Sequence, residues 1–158
     1  MEVDPVFFGT CKQKAQDAYA ARSSIYCPYF KAEVILNSDG FHHLQFSARR
    51  ERNKSEQLVK FRLLPQALEV IHKSGTVQEY RRMLSPIGKP SKKDGAVPMK
   101  MVEYWGFVAI VGEKRMRIRV IARREGTGNI TVWSVMFHSK MKDGKQRLHD
   151  QGLEDEEA

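Results

Sequence analysis

The residues of this chain with the means to do chemistry are arginines, histidines and one late hydroxyl. Arg115, Arg117, Arg119 and Arg123 share odd positions, His42 and His43 are adjacent, and Ser134 and His138 come near the end of the last apolar stretch. The arrangement does not suit a metal. The His42-His43 pair lacks the i, i+4 spacing of a helical zinc site, and there is no clustered carboxylate group for magnesium. There is also no glycine-rich phosphate loop ending in Lys-Ser or Lys-Thr, and no Gly-x-Ser-x-Gly elbow. Histidine, arginine and hydroxyl without metal suit the cleavage of RNA by its own 2′-hydroxyl. That reaction needs a base for the 2′-oxygen, an acid for the leaving 5′-oxygen, and fixed cations for the charge growing on phosphorus.

The elements that must position these groups follow from periodicity. Cys11 to Ser23 places Ala15, Ala18, Tyr19 and Arg22 at helical spacing, and Pro28 ends any helix there. Lys31 to Leu36 reads as a strand, Asn37-Ser38-Asp39-Gly40 as a turn, and Phe41 to Phe46 as its hairpin partner. From Ser55, the residues Leu58, Phe61, Leu64, Ala67, Leu68 and Ile71 continue at helical steps toward Gly75, with Pro65 expected to kink or restart the helix. Four strands follow, Val77 to Leu84, Met101 to Val111, Arg115 to Arg124 and Ile130 to His138, with a mobile loop expected from Gly88 to Pro98. The predicted class is α+β: an N-terminal helix and β-hairpin, a central helix, then an antiparallel four-stranded meander with helices packed on one face. One domain is expected over 1–150, with an acidic tail over 151–158.

Alternation sorts the strand residues by face. Met116, Ile118, Val120 and Ala122 oppose Arg115, Arg117, Arg119 and Arg123; Trp105, Phe107, Ala109 and Val111 oppose Tyr104, Gly106 and Val108. Trp133, Val135 and Phe137 are predicted inward, and Ser134, Met136 and His138 on the arginine side. A four-residue turn from Glu125 to Gly128 would set Arg119 across from Ser134 and Arg115 across from His138. In the predicted hairpin, His42 shares a side with Leu44 and Phe46 and should pack, leaving His43, beside Gln45, for chemistry. A row of arginines can also be a solvated face that keeps a sheet soluble. Several cations on one strand repel, however, and Glu or Thr would solvate the face at lower cost.

With 27 Lys and Arg against 19 Asp and Glu, the formal charge is +8, which favours an anionic partner such as nucleic acid. Hydrophobic residues at 41% supply a core and exclude a wholly disordered chain. No apolar run reaches membrane-spanning length and the start has no basic n-region, so a cytoplasmic protein with reduced Cys11 and Cys27 is expected.

The sequence resembles the barnase/EndoU/colicin/RelE-like (BECR) group of metal-independent ribonucleases, in particular its phage- and mobile-element-borne branch, over roughly 30–136. The likeness rests on Asp39-Gly40-Phe41-His42-His43-Leu44, the leucine-rich helix before Gly75, and Tyr104-Trp105-Gly106-Phe107. Arg117-Ile118-Arg119-Val120 and Ile130-Thr131-Val132-Trp133-Ser134-Val135 complete it. The doubled histidine, and Trp133 where Thr-x-Tyr-like endings are frequent, depart from the pattern. The resemblance implies helices on a four-stranded antiparallel sheet and an RNA-cleaving site of His43, Arg119 and Ser134. In it His43 is the acid or base, Arg119 and Arg117 hold the phosphate, and Ser134 meets a phosphate oxygen. Arg123, Arg49, Arg50 and His138 would assist binding. The expected function is an RNA endonuclease of toxin or defence type with no cofactor. Its partners would be RNA, with tRNA and mRNA as candidates, and a protein antitoxin or immunity factor. The same face could instead serve a non-catalytic nucleic-acid binder or a small regulator that docks on a protein.

Overall fold

The computed structural model describes residues 2–47 and 50–138, so Arg49 and the expected tail over 151–158 lie outside the described residues. The fold is α+β. Among the described residues three helices, α1 (Pro5–Ala21), α2 (Ser38–Gln45) and α3 (Lys54–Lys73), accompany six strands. These are β1 (Ser24–Cys27), β2 (Ala32–Ile35), β3 (Glu79–Pro86), β4 (Met99–Val111), β5 (Met116–Glu125) and β6 (Thr131–Phe137), and the sheet order is β1-β2-β6-β5-β4-β3. No described helix is long and apolar enough to cross a membrane.

The predicted meander is present as β3 to β6, each strand antiparallel to the next. Apolar residues on one side of it, Trp105, Phe107, Ile118, Val120, Ala122 and Val135, are buried with Phe61, Leu64, Ala67, Leu68 and Ile71 of α3. Phe30, from the turn after β1, sets its ring edge-on to Trp105 and Phe107, at centroid distances of 4.9 and 5.8 Å. Asn53 caps α3 by accepting from the Glu56 amide at 2.8 Å. The helix runs unbroken through Pro65, so the predicted restart does not occur: burial of the flanking apolar face outweighs the one backbone hydrogen bond that proline removes. Helix α1 begins earlier than periodicity indicates, because Asp4 accepts from the Val6 amide at 3.1 Å and Pro5 suits the first helical position. The loop after β3 is closed by the Ile87 amide donating to Pro98 O at 2.8 Å.

Several expectations are corrected. Phe41 to Phe46 is no strand, since all but Phe46 belongs to α2. Asn37 is the helix cap rather than a turn residue, its Oδ1 accepting from the Gly40 amide at 3.0 Å. Strand β2 pairs instead with β1 and, in parallel, with β6 through Ile35 and Thr131. The β5–β6 register also differs. Arg119 faces Met136 and Ile121 faces Ser134, while Ala122 faces Val132, so Trp133 is the extra residue of a β-bulge. The bulge reverses parity locally. Val132 enters the main core, whereas Trp133 joins Val102, Tyr104, Ile121 and Met136 in a second cluster on the other side of the sheet. Phe137, predicted inward, is half exposed. Arg115 belongs to the turn before β5, with a left-handed backbone (φ 50), and does not face His138.

Candidate active site and nucleic-acid interface

On the outer sheet face, away from α3, β5 presents Arg117 and Arg119, and the end of β6 brings His138 alongside. The His138 amide donates to Arg117 O at 3.0 Å, continuing the ladder by one residue. The fourth member comes from an edge strand. Glu79 of β3 stands opposite Gly106 of β4, and with no side chain there it reaches across that strand to β5. Its Oε1 accepts from Arg119 Nε at 2.7 Å. The Arg119 side chain is 3% exposed and that of Glu79 22%. A pair this enclosed is fixed in geometry, since separating the partners would strand a desolvated charge.

His138 responds to the same surroundings. Burial pushes its pKa below the ordinary histidine value, Arg119 and Arg117 add to the shift, and Glu79 opposes it. Its Nδ1 is buried and has no hydrogen-bond partner among the described residues. A carboxylate, an imidazole with destabilised positive charge, and two guanidiniums thus occupy one patch. These groups can take a proton, give one and neutralise an oxyanion. A glycine inside a strand often marks close approach of another group, and here it is decisive. An alanine Cβ at Gly106 would lie 3.0 Å from Glu79 Cβ and 3.1 Å from its Oε1. Gly106→Ala should therefore push Glu79 off Arg119 and lower stability by about 1–3 kcal/mol, the usual cost of overpacking. Thermal melts of the two proteins check this.

The other sequence-nominated residues go elsewhere. His43 is on α2, 6% exposed, with its ring stacked on Trp133 at a centroid distance of 4.5 Å. Arg52 donates from Nε to His43 O and stands 3.1 Å from its Nε2. Because guanidinium only donates, that contact makes Nε2 the acceptor and sets the ring proton on Nδ1. Helical spacing groups His43 with the buried Gly40 and Leu44, so His42, expected to pack, is the exposed histidine, stacked on Phe46. Ser134 is fully buried and accepts from Lys60 Nζ of α3 at 2.9 Å; the same ammonium donates to Val135 O. Arg50 is exposed and pairs with Glu56 at 3.2 Å.

Arg123 forms a second centre. Its guanidinium lies 4.3 Å from the Trp133 ring, donates to Tyr104 OH at 3.2 Å and to Glu125 at 2.6 Å. His43 and Arg123 both approach that ring within 4.5 Å, so they must take opposite faces. Trp133 is held between them and offers only its edge to an open hollow of about 680 Å³, which Asp39, Lys100, Arg123 and Glu125 also line. The structure therefore unites Arg117, Arg119 and His138, links Arg123 to His43 through Trp133, and leaves Ser134 with Lys60. No protein-family model, curated protein or solved structure matches this chain.

Proposed function

We propose that the protein is a metal-independent RNA endonuclease of toxin or defence-effector type whose reacting groups are on the outer sheet face. The observation that carries the reading is the Glu79, Arg117, Arg119 and His138 patch. The α+β architecture, with helices preceding an antiparallel meander, agrees with the resemblance in the sequence. In this reading Glu79 takes the proton of the 2′-hydroxyl, and the 2′-oxygen attacks the adjacent phosphorus. Arg117, exposed on this face, holds the charge on the phosphorane, and the buried Arg119 adds its positive field and fixes Glu79. His138, protonated, gives its proton to the departing 5′-oxygen, leaving a 2′,3′-cyclic phosphate and a free 5′-hydroxyl. His43 passes from a chemical role to a packing one, because its ring is committed to Trp133 and Arg52.

Incubation with total RNA in EDTA tests the proposal. Fragments ending in 2′,3′-cyclic phosphate support it, and retarded RNA without cleavage would replace it with a non-catalytic binder. Binding should also depend on salt, since contacts to phosphate release counterions. Arg117 is exposed. Arg117→Ala should weaken RNA binding and reduce the slope of log affinity against log salt by about 0.7, the value for one single-strand contact. An unchanged slope would remove Arg117 from the docking surface.

A further inference from the structure

The two edges of the sheet are finished differently. At one, β1 is four residues long and the end of α3 closes over it: His72 Nδ1 stands 3.2 Å from Tyr26 O, and the Tyr29 amide donates to Ser74 O at 2.9 Å. At the other, β3 runs for eight residues, and no described strand lies beyond it. A bare edge of that length is a template for a further strand, which proteins usually prevent by shortening or covering it. The side chains there are apolar as well. Tyr80 and Leu84 are 52% and 57% exposed, and the exposed Met99 and Met101 of β4, cross-strand from Pro86 and Leu84, continue the same face.

Parity tells which backbone groups the edge offers. The Ile87 amide donates to Pro98 O in register with the β3–β4 pairs, and an antiparallel ladder alternates bonded and unbonded pairs. Odd-numbered residues of β3 therefore bond β4, while Tyr80, Arg82 and Leu84 turn their amides and carbonyls to the open edge. Pro86 shares their parity, so its missing N–H breaks no bond within the sheet. We infer that β3 pairs antiparallel with β3 of a second copy of this chain, about a two-fold axis at Met83. A two-fold axis normal to the sheet keeps each face on its own side and sets even residues opposite even ones, so the open-edge groups of both copies meet. An axis at Arg81 or Arg82 would set an arginine against itself, which destabilises a strand pair. An axis at Leu84 would overlap the strands only from Arg82 to Pro86. At Met83 the overlap runs from Tyr80 to Pro86, and each arginine meets a neutral residue, Arg81 facing Ser85 and Arg82 facing Leu84 of the other copy. Arg82 and Leu84 then exchange both backbone bonds, and Tyr80 donates to Pro86 O. The occupant is a second copy because β3 supplies the neutral complement to its own charges.

Two copies that each carry +8 repel at long range, so the dimer should tighten as salt screens them, opposite in sign to the salt response of RNA binding. One strand pair makes a narrow contact, at the small end of specific interfaces or below it, about 1,200 Å² in total, so the dimer should be reversible. Sedimentation equilibrium of the intact protein, over a micromolar to millimolar concentration series, should show monomer and dimer in exchange. Leu84→Lys, at an exposed position, sets a cation against Arg82 in both halves of the pair. It should weaken the dimer by about tenfold or more and leave the melting temperature of the monomer unchanged. In a glutathione redox buffer Met83→Cys should cross-link across the axis well beyond Arg82→Cys, with the parent chain, which keeps Cys11 and Cys27, as the baseline. A monomer at every concentration, a dimer indifferent to Leu84→Lys, or cross-linking no greater for Met83→Cys than for Arg82→Cys would overturn the inference. None of these readouts involves RNA, so the inference and the proposed function stand or fall separately.

Discussion

His138→Ala should slow RNA cleavage roughly a hundredfold to ten-thousandfold, the share of a positioned acid or base, while the protein still folds. Glu79→Gln should do the same. Glutamine keeps an oxygen for Arg119 Nε but takes no proton from the 2′-hydroxyl, so its loss of rate would report chemistry rather than a broken ion pair. The pH profile supplies the sign. As the acid, His138 must be protonated, and burial together with Arg119 and Arg117 lowers its pKa from the ordinary value of 6.5. Cleavage should therefore decline with rising pH from a point below 6.5, and that alkaline limb should vanish in His138→Ala. A limb centred above 6.5, or a full rate in the variant, would dismiss His138 as the acid. His43→Ala is the control. It should lower the melting temperature, because Trp133 and Arg52 lose their partner, while the rate per folded molecule holds. An inactive but stable His43→Ala protein would return the chemistry to α2.

Gly40→Ala should cost the fold roughly 3 kcal/mol, the upper end of what overpacking usually does. Helix α2 lies against β6 so closely that a Cβ at Gly40 would overlap the Val132 carbonyl oxygen, with Tyr19 OH 3.4 Å away on another side. Backbone cannot rotate aside as a flexible side chain can, so the helix must lift. Lifting it would carry His43 away from Trp133, and the indole emission should shift toward that of a wetted ring. Gly9→Ala provides the contrast. Among the described residues nothing lies within 4 Å of a Cβ there, and within α1 the change should stabilise by up to about 1 kcal/mol through helix propensity. Denaturant melts of both variants test the pair, and a Gly40→Ala protein as stable as the parent would mean that α2 is free to move.

The meander was legible because the main-core residues of β4 and β5 fall at alternate positions. The main-core residues of β5, Ile118, Val120 and Ala122, are even-numbered and every arginine of the candidate site odd, so one assignment of faces buries no cation without a partner. Segment 41–46 misleads because Phe41, His42, His43, Leu44, Gln45 and Phe46 mix polar and apolar residues over a length too short to separate the two periods. Its helical state is decided by the Asn37 cap and by the contact at Gly40, and the second is tertiary. Trp133 misleads for a different reason. A bulge inserts one residue, and no local propensity announces it in Thr-Val-Trp-Ser-Val. Of the candidate site, Arg117, Arg119 and His138 followed from parity alone. Glu79 did not, since its reach across β4 depends on Gly106, whose meaning as a gap appears only when β3 is laid beside it.

The joint between β2 and β6 bears on the order in which the molecule assembles. Each hairpin of the meander closes between neighbours in sequence, whereas β2 meets the sheet through Ile35 and Thr131, supported by the Ile35 amide on Ile130 O at 2.7 Å. Closing so long a loop carries the larger entropic cost and gains one short parallel pairing in return. The meander with α3 should therefore form first and act as the template on which β1 and β2 condense late. Amides of β4 and β5 would then be the slowest to exchange with deuterium in the native protein, and those of β1 and β2 would open through a smaller, separate fluctuation.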